Sequence, residues 1–298
     1  MNFRYNSLML IFLILQVLLI NFSKAEEFFL KQNWPNNINV KIMHDIEISN
    51  NVNNEKYFQK SSKEIKVKVT KQNDNYIVNI IDQKNITNTS YKIKNSYLHL
   101  LAEIDCYPDL IINSKKNIIK IVNNRNHEIR EKLQKSARYY NPEVVRKVDY
   151  ILSNTNDAIL TNFYQEQWYF ICGFYLNKRF KGDKYYEIEG ARIILPEYPK
   201  ERINVKTVVN LEKITVKDKK KIATIFYHQY AEKNELLSII SKNANKININ
   251  SNELKWSVLH IVNVDLSTLL PINYSKYVEI KLPKVKKEKI EKIKFYYY

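Results

Sequence analysis

The chain has 298 residues, with 48 lysines and arginines against 31 acids, a formal net charge of +17, and 45% hydrophobic residues that include 22 tyrosines and 12 phenylalanines. Only three glycines occur, Gly173, Gly182 and Gly190, which excludes phosphate-cradling P-loops and dinucleotide-binding turns, because there the backbone must come closer to the ligand than a side chain allows. Lysine is interspersed with asparagine and isoleucine along the whole chain, so the charge forms no patch of the kind that marks a nucleic-acid-binding face.

At the start, Arg4 precedes an apolar block from Leu8 to Ile20, and Ser23-Lys24-Ala25 stands before Glu26-Glu27. A positive first segment, a short apolar block and a small-x-small triplet predict a signal peptide over residues 1–25, cleaved after Ala25. The block, about thirteen residues, falls short of the roughly twenty that a membrane-spanning helix needs. No later stretch is long and apolar enough to span as a helix, so no transmembrane segment is expected after cleavage. The reading is an exported protein, periplasmic in a bacterium or secreted. Residues 26–283 contain no Gly/Ser- or Pro-rich linker and predict a single domain, followed by a basic, aromatic tail over 284–298.

Strands dominate the first block, 38–122. Ile38, Val40, Ile42, Ile46 and Ile48 are apolar at even positions with His44 in the same register, the pattern of a half-buried strand. Ile65, Val67 and Val69 alternate again, 72–75 reads as a turn, and Tyr76, Val78 and Ile80 resume the pattern as a hairpin. Strand candidates at 91–93 and 97–101 follow, then a second hairpin from 110–112 and 118–122.

Helical spacing takes over across 126–174. Asn126 before His127-Glu128, with Ile129 and Leu133 four apart, opens one helix; Asn141-Pro142-Glu143 opens a second with an N-cap, a proline at the first helical position and an acid in the first turn. A third run, from Asp157, carries Ile159, Leu160, Phe163, Tyr164, Trp168, Ile171 and Phe174 in a stripe wider than a surface helix needs, predicting a buried helix. The final block, 185–282, returns to strands: 185–189 and 191–195 about a turn at Gly190, odd-position apolar residues from Ile203 to Leu211, 222–230 after a turn at 217–220, then 256–264 and 277–282. A short helix is expected over 234–241. The fold class is therefore α+β: a curved antiparallel sheet of roughly ten strands, open or a partly closed barrel, packed on a central group of about three helices.

Chemistry-bearing motifs are sparse. Cys106 and Cys172 are the only cysteines, and an even count in an exported chain allows a disulfide between the first strand block and the third helix, or two buried thiols. Neither CxxC nor HExxH nor GxSxG occurs, and the five histidines, His44, His99, His127, His228 and His260, lie in separate elements. No metal or cofactor site and no catalytic residue is assigned. Acids at Asp149, Asp157, Glu166, Glu187 and Glu189 allow paired-carboxylate hydrolysis as a minor alternative. Sequons at Asn85, Asn88 and Asn273 have the frequency that an asparagine-rich composition produces.

These readings favour a non-catalytic exported protein that binds an apolar ligand, a lipid or an envelope component between sheet and helices, with Phe163, Tyr164, Trp168 and Phe174 lining the site. By analogy of architecture alone, curved antiparallel sheets on helices serve periplasmic lipid and lipoprotein carriers. The alternative is an interaction protein whose basic faces and 284–298 tail hold an anionic surface; nucleic acid is not an expected partner.

Overall fold

The computed structural model describes residues 27–30, 33–52, 55–91, 100, 107–113, 118–123, 125–154, 165–166, 168–176, 178–181, 186–195, 198–243, 253–283 and 285–298. Its centre is one antiparallel sheet of eleven strands. In chain order the described strands are β1 (Glu27–Phe29), β2 (Ile38–Val52), β3 (Glu55–Gln72), β4 (Asn75–Tyr91), β5 (Asp109–Asn113), β6 (Ile118–Asn123), β7 (Arg179–Lys181), β8 (Tyr186–Leu195), β9 (Tyr198–Lys217), β10 (Lys220–Ala231), β11 (Lys255–Asp265), β12 (Pro271–Leu282) and β13 (Val285–Tyr297). β1 and β7 form a separate two-stranded ribbon; the others run in the order β6-β5-β4-β3-β2-β13-β12-β11-β10-β9-β8.

That order is a meander whose first and last long strands meet in the middle. Every neighbouring pair is consecutive along the chain except β13 against β2, where Val285 to Tyr297 face Val52 to Val40. The sheet is left unclosed between β6 and β8, the interval of sequence that carries the helical middle. An antiparallel sheet this wide coils under its own twist, and two ties require it to. Trp34 donates its Nε1–H to the Leu269 carbonyl at 3.0 Å and accepts from Tyr76 Oη at 3.3 Å, joining β4 to the β11–β12 turn. Tyr107, just before β5, hydrogen-bonds His44 of β2.

Local chemistry explains the hairpins. Asn73 takes φ 55 in the β3–β4 turn, a left-handed conformation that asparagine tolerates. Asp218 and Lys219 take φ 50 and 64 in the β9–β10 turn, two positive angles whose twist matches the flanking strands. Gly190, expected to reverse the chain, does not. β8 continues through it, with Ile188 opposite Thr207 and Ala191 opposite Val205. Two residues there face one, and Gly190 at φ 80 supplies the bulge.

Helices occur in the middle of the chain and before β11, as the sequence predicts. α1 (Asn126–Ser136) and α2 (Pro142–Asn154) form a helical pair with a small core of their own, Leu100, Ile129, Leu133 and Val148. α2 is capped as expected: Asn141 Oδ1 accepts the Glu143 N–H at 2.8 Å. α1 is anchored through Arg125, which holds Asp109 and the Ile80 carbonyl of the β4–β5 pair. α3 (Lys233–Asn243) packs Leu236, Ile239 and Ile240 against Ile203, Trp256 and Ile280. The third predicted helix falls largely on residues 155–164, outside the described ones. Its described end is helical at Gln165, Glu166 and Trp168 and continues as a π-helical turn, Tyr169–Gly173, and residues 168 and 170–176 are all buried.

The largest departure is at 284–298. Instead of a loose or weakly helical tail, Val285–Tyr297 is the central strand β13, with Glu291, Ile293 and Phe295 buried and Lys286, Lys292 and Lys294 exposed. A strand covered on one face and wet on the other needs only half its side chains apolar. Among the described residues no helix is long and apolar enough to cross a membrane.

Candidate functional site

The buried face of the sheet, termed here the inner face, is apolar at both ends and polar between them. At one end β2–β5 and β9–β13 enclose Trp168, Phe170, Phe174 and Tyr175; at the other α3 covers β8, β9, β11 and β12. Strand alternation places a row of ionisable groups on the intervening belt. Tyr227 faces His260, His260 faces Lys276, and Lys276 faces Glu291, each pair directly opposed on adjacent strands.

Glu291, 4% exposed, anchors one end of the row. Its Oε1 accepts from His44 Nε2 at 2.8 Å, and its Oε2 lies 2.8 Å from Lys289 Nζ. Because a carboxylate can only accept, this contact fixes the proton on His44 Nε2, and His44 Nδ1 meets the Tyr107 hydroxyl. Burial alone would raise the Glu291 pKa; the His44 hydrogen bond and the Lys289 charge outweigh it and hold the carboxyl well below the usual carboxylate range.

His260, 1% exposed, lies flat against Phe170, ring centroids 3.8 Å apart at 17°, and its Nδ1 lies 2.8 Å from Tyr274 Oη. Burial, reinforced by the Lys276 charge, pushes its pKa well below 6.5 against the pull of Glu291. Between these two, Lys276 has its pKa lowered, first by burial and then by Lys289, while Glu291 and Glu166 oppose the shift. Unlike Lys289, Lys276 makes no hydrogen bond or ion pair among the described residues.

The neutral His260 gives a direct expectation. In the unfolded chain a histidine takes a proton near pH 6.5; in the fold His260 resists it. Stability is therefore complete above that pH and falls as pH drops below it, with a limiting slope of about 1.4 kcal/mol per pH unit. Urea unfolding at pH 7.5, 6 and 5 should show a falling midpoint, and His260→Gln should flatten the decline between pH 6.5 and 5. An unchanged slope in the variant would remove His260 as its source.

The residues expected to line a ligand site are only partly brought together. Trp168 and Phe174 are both buried on the inner face, with Phe174 packed edge-on to Tyr175 and Tyr227; Phe163 and Tyr164 lie outside the described residues. Trp168 lines an apolar cleft with Trp34, Val40, Val69, Phe295 and Tyr297. The cleft is small, with a volume of about 20 Å³, room for about one water. Trp168 Nε1 is buried without a hydrogen-bond partner among the described residues, an uncommon state for an indole N–H.

Cys172 is fully buried, its Sγ 3.3 Å from the Trp168 carbonyl, and burial pushes the thiol up to about 12. Such a thiol is neither a nucleophile nor a metal ligand at neutral pH. Cys106 lies outside the described residues. Of the described acids, Asp149 pairs with Arg130 on the α1–α2 surface, Glu187 borders a groove with Glu232 and Glu235, and Glu166 acts at a distance on Lys276; Asp157 lies outside the described residues. His127 is exposed on α1, and His228 bonds Ser257 at 2.9 Å.

Sequence reasoning missed Lys276, Lys289 and Glu291. The available signal was the odd-position set Ile293, Phe295 and Tyr297 continuing the register of Lys287, Lys289 and Glu291, which lysine density obscured. No protein-family model matches this chain, and no curated protein matches it.

Proposed function

We propose that this is a non-catalytic, exported binding protein that holds an apolar ligand or an envelope component on the inner face of its unclosed sheet. The observation that carries the reading is the apolar cleft at Trp168, beside a buried indole donor that has no acceptor among the described residues. A buried donor of this kind costs about 1–3 kcal/mol while unpaired. With room for about one water, the cleft takes a ligand only if the segment 168–176 is displaced, and that displacement would open the indole N–H to a ligand oxygen. Export, to a periplasm or outside the cell, rests on the signal pattern of residues 1–25.

A native mass spectrum of residues 26–298, purified gently from an export-competent host, tests this against a denatured sample of the same preparation. The expected result is an apolar adduct that leaves on denaturation and is depleted in Trp168→Phe, which keeps an aromatic ring but loses the donor. A bare chain mass in the wild-type protein would favour the second reading, an anionic partner held on the outer face. One observation supports that alternative: β13 sets Lys286, Lys292 and Lys294 in a row on the exposed side of the sheet.

A further inference from the structure

We propose that the buried segment 168–176 is a plug latched to the inner face of the sheet by His260, and that acidification releases it by charging that histidine. The binding reading above enters only in what the release is for, since the Trp168 cleft opens to a ligand when this segment leaves. The latch itself rests on contacts within the chain.

Three observations lead to it. The first is how the segment is held. Two of its backbone bonds close on itself: the Phe174 N–H donates to the Tyr169 carbonyl at 2.8 Å and the Leu176 N–H to the Gly173 carbonyl at 3.1 Å. The former makes a π-helical turn, a type that recurs at functional sites. Against the sheet the segment lays ring faces and edges. Phe170 stacks on His260, and Phe170 and Phe174 both pack edge-on to Tyr227. One end is tied: β7 pairs with β1, and the Leu30 N–H donates to the Lys178 carbonyl at 3.1 Å. A segment tied at one end and packed through rings leaves the sheet without breaking a strand ladder.

The second is what faces His260. From β12, Tyr274 Oη lies 2.8 Å from its Nδ1 and Lys276 stands directly opposite; from β10 comes Tyr227. From β13, two strands away, Glu291 and Lys289 act on it in opposite senses. The segment's own Tyr169 and Cys172 are pushed up by burial and stay neutral. An imidazolium carries two N–H donors, and among the described residues only Tyr274 Oη is placed to accept one. Glu291, the carboxylate in this set, has its oxygens engaged by His44 and Lys289.

The third is the pH range. Histidine is the group here whose ordinary titration falls between pH 5 and 8. Stacked on Phe170 and 1% exposed, His260 favours the neutral form; released to water, it takes a proton near pH 6.5. The released state therefore gains as pH falls through that value, whereas Glu291, which titrates below 4.5, stays charged over the same range.

Cys172, a free thiol fully buried in the segment, reports the release. The full chain is treated with a dithiodipyridine reagent, which attacks thiols in acid as well as at neutral pH, at pH 7.5 and 5.5. Modification of Cys172 is located by peptide mass, and its rate is divided by that of the urea-unfolded chain at the same pH. This normalised rate should rise about tenfold from pH 7.5 to 5.5. It should stay insensitive to urea below the global transition, with circular dichroism unchanged, and lose its pH dependence in His260→Gln. Equal normalised rates at the two pH values overturn the latch. So does a rise that survives in His260→Gln, or labelling that climbs with urea in step with global unfolding. The wild-type ratio and its urea dependence decide the matter even if His260→Gln does not fold. No ligand enters these readouts: a bare chain in the native mass spectrum removes the binding reading and leaves the latch, and a bound adduct beside a Cys172 that pH does not expose does the reverse.

Discussion

A chain shortened to end at Pro283 is expected not to fold. The truncation removes β13, which among the described residues is the strand that joins the β2–β6 half of the sheet to the β8–β12 half. β2 and β12 would each be left with a long row of unpaired N–H and C=O groups, a template for intermolecular pairing rather than a stable edge. It also takes Glu291, Ile293 and Phe295 out of the core. Far-UV circular dichroism and urea titration should show no cooperative transition, and the material should aggregate. By contrast, a full-length chain with Lys286, Lys292 and Lys294 all changed to Gln alters only exposed side chains on the same strand. Each change should cost within about 0.5 kcal/mol. A truncated chain that unfolds cooperatively at the wild-type midpoint would mean that 285–297 does not hold the sheet together.

The second large effect is expected at Glu291. Glu291→Ala leaves His44 Nε2 and Lys289 Nζ without the carboxylate they share, and breaking a buried charge pair from one side costs about 3–5 kcal/mol. The urea midpoint should fall by that energy divided by the slope of the transition, with little change in the slope itself. Replacing both partners, Glu291→Met with Lys289→Met, should recover a substantial part of the loss, because the uncompensated charge is then gone as well. If the double variant is as unstable as the single one, the loss is one of packing and not of charge. The pH dependence has a definite sign. The folded Glu291 carboxyl titrates below its ordinary 4.5, so its stabilisation is present above that value and drains away as pH falls beneath it. His260 begins to act at a higher pH, so the wild-type protein should lose stability in two stages on acidification, and Glu291→Met should keep only the first.

Both effects depend on a strand that the sequence presents as a charged tail. Ile290, Ile293 and Phe295 lie among lysines, and the short odd-position run Ile293, Phe295 and Tyr297 is obscured by Lys287, Lys289 and Glu291 before it in the same register. What makes the stretch a buried strand is β2, whose Val40 and Ile42 cover the same core, far away in sequence: the His44–Glu291 bond joins residues 247 apart. The same holds for Lys276. Its place beside His260 is a register fact, visible only once β11 and β12 are paired.

What the sequence determined by itself was local. Two-residue alternation gave β2, β3, β4, β9, β10 and β11 close to their observed places, and 72–75 and 217–220 mark turns because Asn73, Asp218 and Lys219 accept or adopt left-handed angles. Asn141-Pro142-Glu143 started α2, and Leu236, Leu237 and Ile240 announced α3. The antiparallel, α+β character followed from these, since each element reads its own neighbours within a few residues. Tertiary structure alone decided that Gly190 is a bulge and not a turn, that α1 and α2 form a core apart from the sheet's main one, and that β13 closes the middle of the sheet. It also decided that a belt of ionisable groups separates the two apolar ends of the inner face. Each of these depends on which backbone lies opposite which, and pairing between strands hundreds of residues apart leaves no periodicity in either strand alone.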